Sequence, residues 1–333
     1  MGFVFLCLGM NTALLVFRLK MALAIIAILL LGAAFTYGIM WWLTNGSITG
    51  IALVTSLIVM AFFLTLFQWL IGPFLINAMY RAHEVRPDDP TYGWVYDMVA
   101  DVARANGFKS VPKVYIADVP FPNAFAYGSP VAGKRVAITL PLLKILKPNE
   151  LKAVLGHEIG HLRHRDVEVL MAIGLLPTVI YWLGWSLWWG GMWGGWSEDR
   201  NNGGGLLLLI GLVLLAVSFL FQLFVLYINR LREAYADING ALTVENGAHN
   251  LQRALAKITL YMDPNIVKRT TNGTLRMLFF APPVNVEYIE GNVDSLIDYW
   301  RHYKPSIWEE LFMTHPHPAK RIQLLDRLAE SSA

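Results

Sequence analysis

The segment His157-Glu158-x-x-His161 carries the residue types of a hydrolytic metal centre. On an α-helix, two histidines four positions apart lie on the same face, so both imidazoles can bind one metal ion. Glu158 adds a carboxylate beside that ion, where it can take a proton from water. Apolar residues flank the pattern and no proline interrupts it. We therefore favour a metal site over an amphipathic surface helix that carries two histidines by chance.

A catalytic zinc site needs a third protein ligand and one open position for water. Glu233 is the best candidate, because two apolar stretches between it and His161 can form a hairpin that returns the chain. Asp237 lies four residues further along the same helical face, where it can accept a hydrogen bond from the free N–H of a ligating imidazole. On these residues alone, a charged surface helix is an equally good interpretation.

Two residues near the C-terminus can stabilise the negative charge that develops on a carbonyl oxygen during hydrolysis. His315 offers an imidazole and Arg321 a cation, and either could supply the required donor. The alternatives are a loop histidine between prolines and a solvated helix charge. His164 and His317 could be mistaken for metal ligands, and we expect both to lie outside the metal site.

The charges of this chain are strongly segregated: it is 56% hydrophobic and only 15% charged. No charged side chain occurs in residues 21–80, 169–197 or 201–229. A membrane-spanning helix needs about 20 apolar residues, and soluble helices of that length rarely lack charge. The sequence therefore predicts an integral membrane protein with four spans, at about 21–43, 50–73, 169–193 and 204–228.

Lysine and arginine mark one side of the predicted membrane. Pairs of basic residues lie at the outer ends of both span pairs, whereas the turn 44–50 between the first two spans has no charge. Because positive charge marks the cytoplasmic side, both soluble parts, the metal motif and both termini are predicted to be cytosolic. The net charge of +3 follows from this topology, and nothing else indicates nucleic-acid binding.

Local patterns predict a mixed α and β catalytic part. Apolar spacing predicts a helix over 97–105, and two runs predict strands at 113–117 and 135–139. Asn149 is a plausible N-cap for the helix 150–163 that carries the metal motif. The only cysteine, Cys7, excludes an intramolecular disulfide and a cysteine-based metal site.

The chain is thereby divided into four parts. An N-terminal apolar segment with the first transmembrane hairpin is followed by a cytosolic part with a short sheet and the metal-motif helix. A second hairpin then leads to a second cytosolic part with the third ligand. These parts cover 1–80, 81–166, 167–228 and 229–333.

Four segments together resemble motifs of the HtpX family of membrane zinc metallopeptidases and, more distantly, of the CAAX prenyl endopeptidases. The similarity covers about residues 18–330; residues 1–17 and the second histidine of His315-Pro316-His317 depart from the family pattern. The segments are His157-Glu158-x-x-His161, Glu233-x-x-Ala236-Asp237, Asn123-Ala124-Phe125-Ala126 and Thr314-His315-Pro316…Arg321.

The resemblance implies an α-helical multi-pass membrane protein with a mainly α, α+β zincin-like (glu-zincin) domain. It implies one Zn²⁺ per subunit, held by His157, His161 and Glu233. It further implies that Asn123–Ala126 lies on an edge strand where an extended substrate adds. Without the family argument, a hairpin turn headed by asparagine is the alternative.

The function implied is that of a zinc metalloendopeptidase of the cell membrane, which cleaves cytosolic regions of membrane or misfolded proteins. A CAAX prenyl-protein endopeptidase is the alternative, although such enzymes normally carry more spans. A metal transporter or a non-enzymatic scaffold is the other alternative; a transporter should place ionisable residues inside its spans, and the interiors of the predicted spans contain none. The expected partners are polypeptides and the lipid bilayer.

The predicted topology can be tested by cysteine labelling in a variant that lacks Cys7. A cysteine placed near Glu198 should react with an impermeant reagent only from the outside, and cysteines at both termini only from the cytosol. Labelling of the Glu198 region from the cytosol alone would contradict four spans with cytosolic termini.

Overall fold

The computed structural model describes Leu23 and residues 48–194, 203–262 and 292–332. Within these residues, contacts divide the chain into two units. The site unit contains residues 69–167 together with the described residues from 229 onward. The apolar unit contains residues 168–194, 203–228 and the start of the first described helix.

Helices dominate the described residues, and they accompany one small sheet. The strands are β1 (Ala82–Val85), β2 (Lys113–Ala117), β3 (Ala124–Ser129) and β4 (Gly133–Thr139). The helices are α1 (Ile48–Met79), α2 (Gly93–Ala105), α3 (Leu140–Ile145), α4 (Pro148–His164), α5 (Asp166–Gly194), α6 (Gly203–Thr243), α7 (Gly247–Tyr261), α8 (Val293–His302), α9 (Ile307–Glu310) and α10 (Pro318–Ser332).

The sheet has the order β1-β2-β4-β3. Strands β2 and β4 are parallel and central, and β1 and β3 pair antiparallel with them at the two edges. The central strands carry β-branched residues at alternate positions, and Val114, Ile116, Val136 and Ile138 are fully buried. The two strands predicted from sequence are thus confirmed. The polar strand β1 was not predicted, because four residues with two charged or polar side chains give no periodic signal.

Helix α4, which carries the metal motif, lies in the core of the site unit. Most of its residues are buried, and it packs against α2, α7 and β3. The prediction of Asn149 as its N-cap was wrong, because the helix begins at Pro148 and Lys147 is the N-cap. Proline suits the first helical position, where its missing N–H costs nothing. The Glu150 carboxylate accepts the Lys147 backbone N–H at 2.7 Å and completes the cap.

The helices α4 and α6 cross closely at two glycines. A Cβ atom on Gly240 would lie 2.9 Å from the carbonyl oxygen of Ala153 and 3.0 Å from the backbone nitrogen of His157. A Cβ atom on Gly156 would lie 3.0 Å from the Cα atom of Gly240. The Asn239 side chain adds a hydrogen bond to the Gly156 carbonyl at 2.8 Å. The absence of side chains therefore brings α6 against the helix that carries the metal motif.

The apolar unit contains two helical stretches long and apolar enough to cross a membrane, Asp166–Met192 and Gly204–Thr243. Many of their large apolar side chains are exposed, for example Leu209 and Leu220, which is typical of helices that contact lipid. They approach closely at glycine, since a Cβ atom on Gly184 would lie 2.9 Å from the Cβ atom of Leu214.

The third and fourth predicted spans, 169–193 and 204–228, fall on the two helices that carry these stretches. The second predicted span, 50–73, falls within the 32-residue helix α1. The first, 21–43, lies outside the described residues apart from Leu23. The four-span topology and its orientation therefore stay predictions.

The glycine crossing predicts a large cost for one added methyl group. Gly240→Ala should destabilise the protein by about 1–3 kcal/mol, because the new Cβ atom meets the backbone of α4. Gly72→Ala is the matched control, since a Cβ atom there meets no heavy atom within 4 Å. Thermal unfolding of both purified variants checks this, and an equal effect of the two substitutions would contradict the close crossing.

Candidate active site

Three side chains from two helices converge on one point. His157 and His161 extend from α4, and their Nε2 atoms lie 3.1 Å apart. Glu233 extends from α6, with Oε2 at 3.6 Å from the His157 Nε2 atom and Oε1 at 3.5 Å from the His161 Nε2 atom. Glu233 is therefore brought to both imidazoles despite its distance along the chain.

This donor set fits a zinc-like metal ion. Ligand atoms at 2.0–2.1 Å from a tetrahedral ion are separated from one another by about 3.3 Å, close to the distances found here. The buried Glu233 Oε2 atom makes no hydrogen bond within the described part of the chain, as expected of an atom reserved for a metal. Burial alone would raise the pKa of Glu233, but the imidazoles of His315, His161 and His157 outweigh burial and lower it. The carboxylate is thus charged and available.

Asp237 contacts the His157 imidazole at Nδ1, the ring nitrogen that does not face the other ligands. Its Oδ1 atom lies 2.9 Å from the His157 Nδ1 atom, on the ring side away from the cluster. Arg321, on α10, donates from Nε to Oδ2 at 2.8 Å and from Nη2 to Oδ1 at 2.7 Å. Burial would raise the pKa of Asp237, yet the Arg321 guanidinium and His157 lower it. Arg321 therefore contacts Asp237, and it is linked to the metal-ligand group only through that carboxylate.

Asp166 supports the second imidazole, and the sequence argument missed it. Its Oδ2 atom lies 2.5 Å from the His161 Nδ1 atom, and its Oδ1 atom is paired with Arg232. Arg165 ends α4 in the left-handed conformation, with φ 54° and ψ 48°, and the chain turns there. An acidic residue five positions after the second histidine was the available signal, but helical periodicity does not place it on the histidine face.

Glu158 is held by the edge strand of the sheet. The backbone N–H of Ala126 in β3 donates to its Oε2 atom at 2.8 Å. The carboxyl is buried, and burial raises the pKa of Glu158, while the imidazoles of His157 and His161 act in the opposite direction. A buried carboxyl with a raised pKa and one fixed oxygen is suited to accept and return a proton.

His315 also faces the cluster. Its Nε2 atom lies 3.5 Å from the Glu233 Oε1 atom, and its Nδ1 atom lies 2.9 Å from the hydroxyl of Thr314. Burial lowers the pKa of His315, although the Glu233 carboxylate opposes that shift. The Asn229 side chain donates to the Thr314 carbonyl at 2.6 Å and fixes this loop. Of the two predicted oxyanion donors, His315 is thus the one beside the ligand atoms.

The segment 123–126 leads into the edge strand. Asn123 is buried before β3 and exchanges hydrogen bonds with Thr139: its N–H donates to the hydroxyl at 2.8 Å, and its carbonyl accepts the Thr139 N–H at 2.9 Å. Ala124 and Ala126 lie in β3, and the Phe125 ring packs on the Tyr80 ring at 4.6 Å. The structure therefore places a strand here, at the free edge of the sheet.

The two remaining histidines of the motifs lie elsewhere. The His164 ring packs on the Tyr235 ring with centroids 3.9 Å apart. The His317 Nδ1 atom accepts the Ala319 backbone N–H at 3.2 Å. Among the described residues, the group of metal-ligand type therefore consists of His157, His161 and Glu233, whose ligand atoms all lie within 4.8 Å of one another.

The sequence and the fold of this chain are similar to those of known proteins. The chain matches Peptidase family M48 over residues 89–329. Protease HtpX homolog 2 of Saccharolobus solfataricus is 54% identical over 96% of this chain and 100% of that protein. Protease HtpX homolog of Thermoplasma acidophilum is 44% identical over 94% of this chain and 98% of that protein. The crystal structure of S. mikatae Ste24p has a similar fold, with a TM-score of 0.54 and 18% identity over 96% of this chain and 67% of that chain.

The buried pair of Arg321 and Asp237 predicts a strong effect on stability. Arg321→Gln should destabilise the protein by about 3–5 kcal/mol, because it leaves the buried Asp237 carboxylate without its cation. Arg301→Gln is the matched control, since Arg301 pairs with Asp326 at the surface, where such a pair contributes about 0–1 kcal/mol. Denaturant unfolding measures both, and similar losses would contradict the role of burial.

Proposed function

This chain belongs to peptidase family M48, and on that premise we propose that it is a zinc-dependent membrane endopeptidase that cleaves cytosolic regions of membrane or misfolded proteins. One observation carries the proposal: two imidazoles and a buried carboxylate converge, with the Glu158 carboxylate fixed beside them. This arrangement combines a metal-ligand set with a general base. The close curated relatives named as HtpX proteases support the same reaction.

We propose that His157, His161 and Glu233 hold one Zn²⁺. When bound there, zinc polarises the scissile carbonyl and lowers the pKa of water toward ~7. The imidazoles are prepared for this, because Asp237 and Asp166 accept hydrogen bonds from the Nδ1 atoms and leave both Nε2 lone pairs facing inward.

Glu158 is the general base in this proposal. Its carboxylate accepts a proton from the attacking water and then passes that proton to the nitrogen of the leaving amine. The Ala126 N–H holds one carboxylate oxygen, so the other remains for the proton. Because both imidazoles lie on the neighbouring face of α4 and Glu233 reaches them from α6, the proposed base stands next to the site of attack.

His315 is proposed as the donor to the oxyanion. Its Nε2 atom faces Glu233, an acceptor, which favours the tautomer with the proton on Nε2. That N–H can stabilise the negative oxygen of the tetrahedral carbon. Arg321 is proposed to act indirectly, because its guanidinium is already engaged by both carboxylate oxygens of Asp237.

The substrate is proposed to add as a strand along β3. The Ala126 N–H points away from β4 toward Glu158, and the Gly128 carbonyl accepts the Trp69 indole N–H at 3.1 Å. Since alternate residues of a strand present their backbone groups to the same side, those of Ala124 also face the free edge. An extended peptide can therefore pair with Ala124 and the Ala126 carbonyl, beside the base.

The membrane and cytosolic parts of the proposal rest on two features. Two described helical stretches are long and apolar enough to span a bilayer. Basic residues flank the predicted spans on the side that carries the metal motif, which favours a cytosolic site. Cytosolic loops and tails of membrane proteins are then within reach.

Glu158→Gln tests the proposed reaction in detergent-purified protein. The variant should keep stoichiometric zinc but lose casein cleavage, because an amide cannot accept the proton while the ligands are untouched. A farnesylated peptide assayed alongside separates general proteolysis from prenyl-peptide cleavage. Near wild-type cleavage by the zinc-loaded variant would remove Glu158 from the assigned role.

Glu233→Ala tests the third ligand. Both zinc content and cleavage should fall, since two imidazoles alone leave the donor set incomplete. Glu245→Ala is the matched control, because Glu245 is exposed and should leave both quantities unchanged. If zinc stays stoichiometric without the Glu233 carboxylate, another residue is the third ligand.

A further inference from the structure

The first ligand imidazole is supported by a chain of two buried residues. The His157 Nδ1 atom lies 2.9 Å from the Asp237 Oδ1 atom, and Asp237 is held by a two-point contact from Arg321. All three side chains are buried. The carboxylate fixes the ring, and the guanidinium fixes the carboxylate.

The second ligand imidazole has a support of the same kind, built from different elements. The His161 Nδ1 atom lies 2.5 Å from one oxygen of Asp166, and the other Asp166 oxygen pairs with Arg232. Arg232 is only 1% exposed, and its Nη2 atom also lies 3.4 Å from the His164 carbonyl at the end of α4. The guanidinium therefore contacts both the carboxylate and the backbone of the helix that carries the ligand.

The position of Asp166 depends on the turn before it. Asp166 is the first residue of α5, and it can reach back to His161 because Arg165 takes the left-handed conformation. Arg232 lies on α6, directly before the Glu233 ligand. The pair consequently joins α5 and α6 at the metal-ligand end of α4.

We infer that Asp166, held by Arg232, is a positioning residue that orients His161 for metal binding. An Nδ1–H···carboxylate bond fixes the tautomer in which the Nε2 lone pair is free for the ion, and it prevents rotation of the ring. With Asp237 and Arg321, it makes the second of two parallel His–Asp–Arg chains. This inference rests on the metal site of the proposed function but does not require proteolysis.

The decisive measurement is metal affinity of the full-length protein in detergent, with Zn²⁺ and Co²⁺ as probes. Asp166→Asn should lower Zn²⁺ affinity by about 10–100-fold, because the amide binds the imidazole less well and holds no charge against Arg232. The visible absorption of bound Co²⁺ should change in band position or intensity, since it reports the geometry of the ligands. Arg232→Gln should weaken affinity in the same direction.

A buried ion pair elsewhere on the same helix provides the matched control. Glu150 and Lys257 are paired at 2.6 Å, with Glu150 1% exposed and away from the metal ligands. Glu150→Gln should lower the melting temperature of metal-free protein while leaving Zn²⁺ affinity within about twofold and the Co²⁺ spectrum unchanged. A purely structural Asp166 would give this same pattern.

The double variant decides whether the two residues act as one unit. Asp166→Asn with Arg232→Gln should lose little more Zn²⁺ affinity than Asp166→Asn alone, since coupled residues are not additive. Wild-type affinity and spectrum in Asp166→Asn, or fully additive losses, would overturn the inference. If Asp166→Asn does not fold, Asp166→Glu replaces it. An unchanged Co²⁺ spectrum in Asp166→Glu, together with unchanged Zn²⁺ affinity in Arg232→Gln, would then also overturn the inference.

Failure of the proposed metal site would give a different result in these measurements from failure of the positioning role of Asp166. If wild-type protein binds no Zn²⁺, or if His161→Ala binds it as tightly, the metal site itself is wrong. If wild-type protein binds Zn²⁺ through His161 and Asp166→Asn binds it equally, only the positioning role is wrong.

Discussion

The close crossing of α4 and α6 is the constraint on which the site depends. A Cβ atom on Gly156 would lie 3.0 Å from the Cα atom of Gly240, closer than ordinary van der Waals contact, so the two backbones leave little room for a side chain there. At this separation, the Glu233 carboxylate lies 3.6 Å from the His157 Nε2 atom and 3.5 Å from the His161 Nε2 atom, although it extends from a different helix. Since α6 rises 5.4 Å per turn, Glu233, Asp237 and Gly240 stack along one side of it. The packing of the two helices thus accompanies three polar contacts: Glu233 with His157, Glu233 with His161, and Asp237 with His157.

Burial makes this arrangement costly unless each charge is paired. Glu233, Asp237 and Asp166 place three carboxylates in a region almost closed to water, where unpaired ions cost several kcal/mol each. Arg321 and Arg232 compensate two of them, and the imidazoles face all three. The Glu233 Oε2 atom makes no hydrogen bond in the described residues. That oxygen lies among the proposed ligand atoms, where a bound metal ion would supply its missing partner.

The sequence predicts those residues of the site whose positions follow from regular helical spacing. His157 and His161 follow from helical spacing, and Glu233 was reached by adding the apolar hairpin and the family resemblance. Asp166 could not be found in this way, because its position depends on a left-handed turn at Arg165, a non-glycine residue in a conformation that sequence patterns do not indicate. The same limit explains the N-cap error at the start of α4, where Asn149 is the better capping residue by type but Pro148 already begins the helix.

The edge strand joins the proposed base to the proposed substrate. Ala126 gives its outward N–H to Glu158, so that N–H is not available to a peptide, and Trp69 already occupies the Gly128 carbonyl. A substrate strand would then pair with Ala124 and with the Ala126 carbonyl, both within two residues of the backbone N–H that contacts Glu158. Because a strand shifted by one residue turns its backbone groups away, this edge admits few registers. In the proposed mechanism, the hydrogen bond from Ala126 that orients Glu158 would therefore also limit which substrate peptide bond lies beside this carboxylate.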